Sequence, residues 1–454
     1  MRGRSGVDHH YIKERVAGSN PAPATKLKKE MSAERFTYID LFCGIGGFHQ
    51  AMSRFGGKCV FACDIDEDCR KVYEENYGLK PHGDITQIDE RDIPEHDVLC
   101  AGFPCQSFSK AGHRLGFEDK TRGTLFFDIA RIVSFRKPKF IILENVRNLA
   151  SHDKGKTWET IRETLTSLGY VVNQEPTIFS PHYMGIPQHR ERVYILCVRK
   201  DSDVEGLNQK EIEAVVNSFK ETISENRLKE ESQKILQRDE EIENLNDYKL
   251  PADVEDLLNL WNEFVGNVRW TDNNAEEILP SFPIWSEFLR VRNEDDDVTL
   301  VDFPDWKKRI VEKNFRLYES NRVFIDEWLV RAKRNPLFFG AKAKLEWQAG
   351  QKSDELPSIW ANMIQFRPSG IRVKKGTYYP ALVAMNQTSI VGPRKRKLTP
   401  RECARLQSFP DEFILDKNDS RAYKQLGNSV NVDVVILFAD ILFSNYFKSE
   451  YANW

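Results

Sequence analysis

Residues 36–57, FTYIDLFCGIGGFHQAMSRFGG, set an apolar strand-like run against a glycine turn and then a helical stretch, and few folds accept that order. The pattern recurs. "CVFACDID" (59–66) is a second strand, followed by a helical stretch from Glu67 to Asn76 and a third short strand near "GDI" (83–85). "DVLCAGF" (97–103), "KFIILENV" (139–146) and "RVYILCV" (192–198) continue the series, with helices over Leu125 to Ser134 and Thr157 to Leu168 between them. Apolar runs separated by helical lengths predict an α/β fold, a Rossmann-like, mostly parallel but mixed sheet covered on both faces. Ligands of such sheets sit at the carboxyl ends of the strands.

Gly44-x-Gly46-Gly47 lacks the third glycine of a dinucleotide fingerprint. Asp64, 18 residues beyond Gly46, ends the second strand and suits a ribose diol. Asp84 is placed to accept from an adenine amino group. These features suit S-adenosylmethionine, which needs no phosphate cradle. A purely structural turn with solvated acids stays open at this point.

The chain is 454 residues long and 40% hydrophobic, enough for two domains. It has no uninterrupted apolar run of membrane-spanning length and no cleavable leader pattern, so a cytoplasmic protein with no membrane partner is expected. Its net charge is −3, so any nucleic-acid footprint must be local. Residues 1–30 lack apolar periodicity and carry seven Lys/Arg against three acids, which reads as a disordered extension. The segment Gly18-Ser19-Asn20-Pro21 is what a transfer-RNA gene T-arm would encode, so Met31 is the expected natural start; a DNA-binding basic tail is the alternative. The eight cysteines lie mostly in apolar stretches and should pack, and Cys59, Cys63 and Cys69 lack paired zinc spacing, so no metal is expected.

In order, "DLFCGIGGF", "GDI", "AGFPCQSFS", "LENV", "QHRERVYIL", "LTPRECARLQSFP" and "QLGNSV" resemble the successive motifs of the DNA cytosine-C5 methyltransferases of bacterial restriction-modification systems. The likeness covers Phe36 to about Val198 and Lys397 to about Phe443. It implies methyl transfer from S-adenosyl-L-methionine to carbon 5 of cytosine in double-stranded DNA. Carbon 5 is a poor nucleophile, and thiolate addition at carbon 6 activates it. Cys105, after Pro104, fits that nucleophile, whereas Cys100 lies within the strand and should be inert. Glu144 is the expected proton donor toward N3, with Asn145 orienting its surroundings. Strand alternation sends Arg190 and Arg192 to one face, opposite Glu191, and the resemblance puts Arg192 near the cytosine O2 and Arg190 close to it; an ion pair with Glu191 or another acid is the alternative for either.

The resemblance assigns cofactor contacts to Phe42, Ile45, Asp64, Ile65, Asp84, Ile85, Pro104, Leu125, Asn428, Ser429 and Val430, with Gly44, Gly46 and Gly47 forming the turn. Asp64 stands where many members have glutamate, and Ile65 where an aromatic often stacks on adenine. The target base must be flipped out of the duplex. The loop from Gln106 to Thr124, with Gly112, Gly116 and Gly123 among its cations, reads as a lid that closes on DNA; Gln106, Ser109 and Arg122 are its candidate DNA contacts.

The expected domains are a catalytic and cofactor-binding domain over 31–200, a smaller inserted helical and target-recognition domain over 201–393, and a segment 394–454 that completes the catalytic domain. Within the insert, Asn208 to Val265 is helical, and "DEEIEN" (239–244) reads as a solvated helix face. The aromatics Trp285, Phe288, Trp306, Phe315, Tyr318, Phe324 and Trp328 are expected in a core. A basic β-like stretch follows, with Gln365, Arg367, Arg372, Lys374, Lys375, Asn386 and Gln387, then Arg394 and Arg396 in "GPRKRK", as DNA-contact candidates. The expected partners are duplex DNA and, functionally, a restriction endonuclease, with the enzyme a monomer. The rivals are an RNA-directed relative acting on transfer RNA and a catalytically silent DNA-binding module.

Overall fold

A computed structural model of the chain describes residues 35–104, 125–201, 207–272, 275–277, 279–293, 295–296, 300–350, 356–382 and 388–443. The chain divides into two compact units, Met1–Arg227 with Cys403–Trp454, and Leu228–Glu402.

The first unit is built on β1 (Phe36–Leu41), β2 (Gly57–Cys63), β3 (Val98–Gly102) and β4 (Phe140–Val146), continued by β5 (Tyr170–Val172), β6 (Thr177–Phe179) and β7 (Arg192–Arg199). The order across the sheet is β2-β1-β3-β4-β7-β5, with β6 also on β7. The first four strands are parallel; β7 runs antiparallel to β4 and to β5 and β6. Chain order reverses between β1 and β3, the position where open α/β sheets leave a ligand crevice.

Alternation along the strands sorts their faces. Ile39, Leu41, Leu99, Ile141 and Leu143 pack with Phe126, Ile129 and Val133 of helix Leu125–Arg136 and with Trp158, Ile161 and Leu165 of helix Lys156–Ser167. Helices Gly47–Ser53 and Val432–Phe443 cover the other face, with Phe443 against Phe36 and Phe140, and Phe438 stacked on Tyr194 at 4.4 Å. Asp419–Phe443 is long and apolar enough to cross a membrane by composition, but 72% of its apolar window is buried inside the molecule, as a core segment is.

The expected third strand at "GDI" does not form. His82 makes an isolated bridge to Cys63, and Asp84 instead caps a short 3-10 turn over Ile85–Gln87, accepting from Thr86 N at 2.9 Å. An Asp at a turn start satisfies a backbone donor more readily there than inside a ladder.

In the second unit, strands Ile284–Trp285, Lys344–Gln348, Gly370–Lys374, Met363–Arg367, Ile390–Val391 and Arg396–Lys397 form one sheet in that spatial order. Its apolar face packs on helices Ala252–Asn267 and Arg322–Ala332 around Trp261 and Trp328, whose ring centroids are 5.0 Å apart. The aromatic expectation holds for Trp285, Phe315, Tyr318 and Trp328, and fails for Trp306, which is 57% exposed on the outer side of helix Asp305–Ser320. The acidic "DEEIEN" stretch forms only the single 3-10 turn Asp239–Glu241 rather than a solvated helix face.

Candidate active site

The glycine turn after β1 takes backbone conformations that side chains disfavour: Gly44 has φ 53° and Gly46 φ 87°. A Cβ at Gly46 would lie 2.3 Å from the Tyr77 ring, whose hydroxyl donates to the Gly46 carbonyl at 3.0 Å. One at Gly47 would lie 2.6 Å from Val430 Cγ2 and 3.0 Å from Ser429 Oγ. At Gly44, by contrast, a Cβ would meet nothing within 4 Å, so the turn is packed from behind and open in front.

Asp64 faces this opening. Its two carboxylate oxygens accept from Gly44 N and Asp66 N, each at 2.8 Å, which fixes the carboxylate at the end of β2. Burial raises its pKa, against the pull of those two backbone donors. Ile65, next in sequence, is 76% exposed, an unusual position for a large aliphatic group beside a structured turn. Ile45 and Ile85 are buried, Phe42 and Leu125 partly so, Ser429 and Val430 buried, and Pro104 and Asn428 exposed.

The second cluster sits at the ends of β3 and β4. Gly102 is in register with Glu144, and Phe48, Val430 Cγ1 and Glu144 Oε2 all lie within 3.8 Å of the place its Cβ would take. Glu144 is buried, with Arg192 Nε 3.1 Å from its Oε1. Burial raises the Glu144 pKa, opposed by the Arg192 and Arg190 charges, so the group is shifted toward its protonated form. Asn145 Nδ2 donates to the Phe103 carbonyl at 2.8 Å and its Oδ1 accepts from Val146 N, so it holds the chain just before Pro104. Cys105, Gln106, Ser109, Arg122 and the rest of the expected lid lie outside the described residues. Cys100 is fully buried in β3, and burial raises its thiol pKa well above the ordinary value, which leaves it unreactive.

Arg190 and Arg192 part company. Arg192 turns to Glu144, whereas Arg190 precedes β7 and is buried, its Nη2 donating to the carbonyls of Gly427 and Ser429 at 2.9 Å each. Burial and the neighbouring Arg192 lower the Arg190 pKa to about 9. The alternative of an ion pair with an acid is met by Arg192, whose partner is Glu144, while Glu191 is held by Arg147 at 2.8 Å. The Arg190 Nη2 is thus engaged by two backbone carbonyls, whereas Arg192 is the arginine paired with Glu144. The sequence did not point to Tyr77, Gly102, Ser180 or His182 as part of this neighbourhood, since no local pattern encodes a contact made across the sheet.

The DNA-contact candidates of the second unit are likewise sorted. Gln365 and Arg372 face each other across the sheet, Arg367 donates to Gln365 Oε1 at 2.8 Å, and Gln365 Nε2 donates to Ser389 Oγ at 3.0 Å. Arg372 pairs with Glu346 at 2.6 Å. Burial and the neighbouring cations lower the pKa of both Arg367 and Lys374, so this polar sheet face favours an approaching anion. Lys375 is half-buried, and Asn386 and Gln387 are outside the described residues. Arg394 lies 3.6 Å from Asp239 and remains 41% exposed. Arg396 does not fit a DNA contact. It is 1% exposed and paired with the fully buried Glu402 through bonds of 2.7 and 2.9 Å, so its donors do not reach solvent phosphate.

The Type II methyltransferase M.AluI of Cellulosimicrobium cellulans is 34% identical, covering 88% of this chain and 90% of that enzyme. The Type II methyltransferase M.HhaI of Haemophilus parahaemolyticus is 33% identical over 90% of this chain and 93% of that enzyme. The crystal structure of S. pombe Dnmt2 methyltransferase aligns over 90% of this chain and 99% of that one, at 17% identity and a TM-score of 0.48. The model of the C-5 cytosine-specific DNA methylases matches residues 36–442, and the chain belongs to that family of S-adenosylmethionine-dependent enzymes.

Proposed function

We propose that this enzyme methylates carbon 5 of a cytosine flipped out of duplex DNA, with Cys105 as nucleophile and Glu144 as proton donor, and so protects DNA from a cognate restriction endonuclease. The observation that carries the residue roles is the Glu144–Arg192 pair, placed beside Gly102 at the end of the strand that leads into Phe103-Pro104-Cys105. The type II names of the relatives support the link to restriction. One flipped base per event requires a single active site, so we read the enzyme as a monomer acting in the bacterial cytoplasm, where the DNA is.

The cofactor side fits S-adenosylmethionine. Asp64 is fixed at the end of β2 for a ribose diol, exposed Ile65 offers an apolar surface to adenine, and Gly44 lets the ligand reach the backbone. When bound, this group supplies an electrophilic methyl on a sulfonium. The chain's own residues do the rest. The Cys105 thiolate forms a bond to carbon 6 while Glu144 delivers a proton at N3, and the electron pair then rests on carbon 5. Carbon 5 takes the methyl, with S-adenosylhomocysteine as the leaving group; the carbon 5 hydrogen then leaves as a proton to solvent, its bonding pair expels the thiolate from carbon 6, and the N3 proton returns to Glu144, which gives 5-methylcytosine and restores the enzyme. Arg192 holds Glu144 and is available to the cytosine O2. On the second unit, Arg367, Arg372, Lys374 and Lys375 supply base and phosphate contacts, Arg394 adding a phosphate contact.

The test is bisulfite sequencing of a plasmid from cells expressing the chain, with Cys105→Ala alongside. Methylated cytosines at one short sequence are expected for the parent and none for the variant. Methylation that survives loss of Cys105 overturns the mechanism, and methyl incorporation into transfer RNA but not DNA overturns the substrate.

A further inference from the structure

We propose that Arg190 is a positioning residue: it clasps the cofactor-side segment Gly427–Val430 to the chain that carries Arg192, and Ser180 with His182 holds the clasp in place. The proposal rests on the reading of the two clusters given above and concerns how they are kept in step.

Three sets of contacts converge. The Arg190 guanidinium donates to the carbonyls of Gly427 and Ser429, both at 2.9 Å, just where helix Asp419–Asn428 ends. A helix end leaves carbonyls without intrahelical partners, and a buried cation satisfies them more strongly than a neutral donor. On its other side, the Arg190 backbone N donates to Ser180 Oγ at 2.9 Å, and the same hydroxyl is 2.7 Å from His182 Nδ1. Burial and the neighbouring His189 lower the His182 pKa to about 4, so the ring is neutral near pH 7 and serves as a fixed hydrogen-bond partner.

The clasped segment touches both halves of the site. Val430 and Ser429 press on Gly47 in the glycine turn, and Val430 Cγ1 shares the Gly102 neighbourhood with Glu144 Oε2. Arg192, two residues beyond Arg190, holds Glu144. One short stretch thus grips the proton donor with one arginine and the wall of the methyl-donor pocket with the next. A shift of Arg190 moves both, without any contact of its own to the base. Positioning at the scale of an ångström is worth orders of magnitude in rate.

The test compares the full-length parent with Arg190→Gln, Arg190→Lys and Ser180→Ala. Affinity for S-adenosylmethionine is measured by calorimetry in the absence of DNA, DNA affinity by fluorescence anisotropy, and kcat and KM by methyl incorporation. For Arg190→Gln, cofactor affinity is expected to fall about tenfold or more and kcat by a similar factor, with DNA affinity within about twofold. Arg190→Lys should recover part of both losses, because a charge remains, and Ser180→Ala should show the same pattern at about two- to fivefold. Unchanged cofactor affinity in Arg190→Gln, with loss confined to DNA binding or kcat, overturns the clasp and returns Arg190 to the base. Should Arg190→Gln fail to fold, Ser180→Ala decides: unchanged cofactor affinity there overturns the proposal. A parent enzyme that binds S-adenosylmethionine yet methylates no DNA would defeat the proposed function, while the calorimetric arms would still decide the clasp.

Discussion

Replacing Glu144 with Gln preserves the shape of the side chain and an oxygen for Arg192, and removes the proton that the proposed mechanism needs. Arg192 Nε stands 3.1 Å from Glu144 Oε1. Trading a charge-assisted bond for one to a neutral amide costs about 1–2 kcal/mol. Relief of the buried carboxylate, whose burial cost outweighs the pull of the two arginines, offsets that loss, so the variant's stability should lie within about 1 kcal/mol of the parent's. The rate should suffer far more: loss of a general acid lowers kcat by about 10²–10⁴, or roughly 3–5 kcal/mol of barrier. A pH signature accompanies it. Burial raises the Glu144 pKa above its unfolded value, so its stabilising contribution is full below the unfolded pKa and is lost as pH rises through the folded one. Gln has no such slope, and the parent's stability advantage over the variant should shrink as pH rises above about 4. Urea unfolding at several pH values reads the second effect, and single-turnover methylation the first. A variant whose kcat stays within about threefold of the parent would refute the role of Glu144 as proton donor.

Two further substitutions separate function from scaffold. Arg396→Ala leaves Glu402 buried with only Thr399 N at 2.8 Å and Gln237 N at 2.9 Å as partners, and should cost about 3–5 kcal/mol in chemical denaturation; normal stability with a DNA salt slope flatter by about one would show that Arg396 binds phosphate after all. Ile65→Ala removes an exposed group and should leave stability within about 0.5 kcal/mol, while cofactor affinity measured by calorimetry falls about fivefold; unchanged affinity would remove Ile65 from the adenine surface.

The parts of the molecule that were readable as sequence are those set by local chemistry. β1 and the turn after it, the helix Val432–Phe443 and the strand that carries Glu144 all follow from apolar runs punctuated by glycine or charge, and each lies where its pattern indicates. Most of the misreadings come from side-chain pairing, local or distant, that apolar patterning does not encode. "GDI" looks extended, but Asp84 finds a better partner in Thr86 N. Arg394, Lys395, Arg396 and Lys397 look like one basic patch, yet Glu402 draws Arg396 inward and Glu255 takes Lys395. Arg190 and Arg192 look alike two residues apart, and only the return of the chain at Gly427 distinguishes them. Trp306 carries no sequence mark of its exposure, because a helix of this length has turns to spare beyond its core stripe.

The return of the chain also sets a schedule. The glycine turn at Gly44–Gly47 leaves the ribosome well before Val430, which presses on it and follows 383 residues after Gly47. At about 5–20 residues per second, the ribosome needs about 20–80 seconds to cover that interval. Throughout it, the sheet face formed by Phe36 and Phe140 waits for Phe443, and the methyl-donor pocket lacks one wall. A nascent or truncated chain therefore carries Cys105, the proposed nucleophile, long before it has the wall that Val430 supplies, and on that proposal competence to modify DNA comes only with nearly the whole polypeptide.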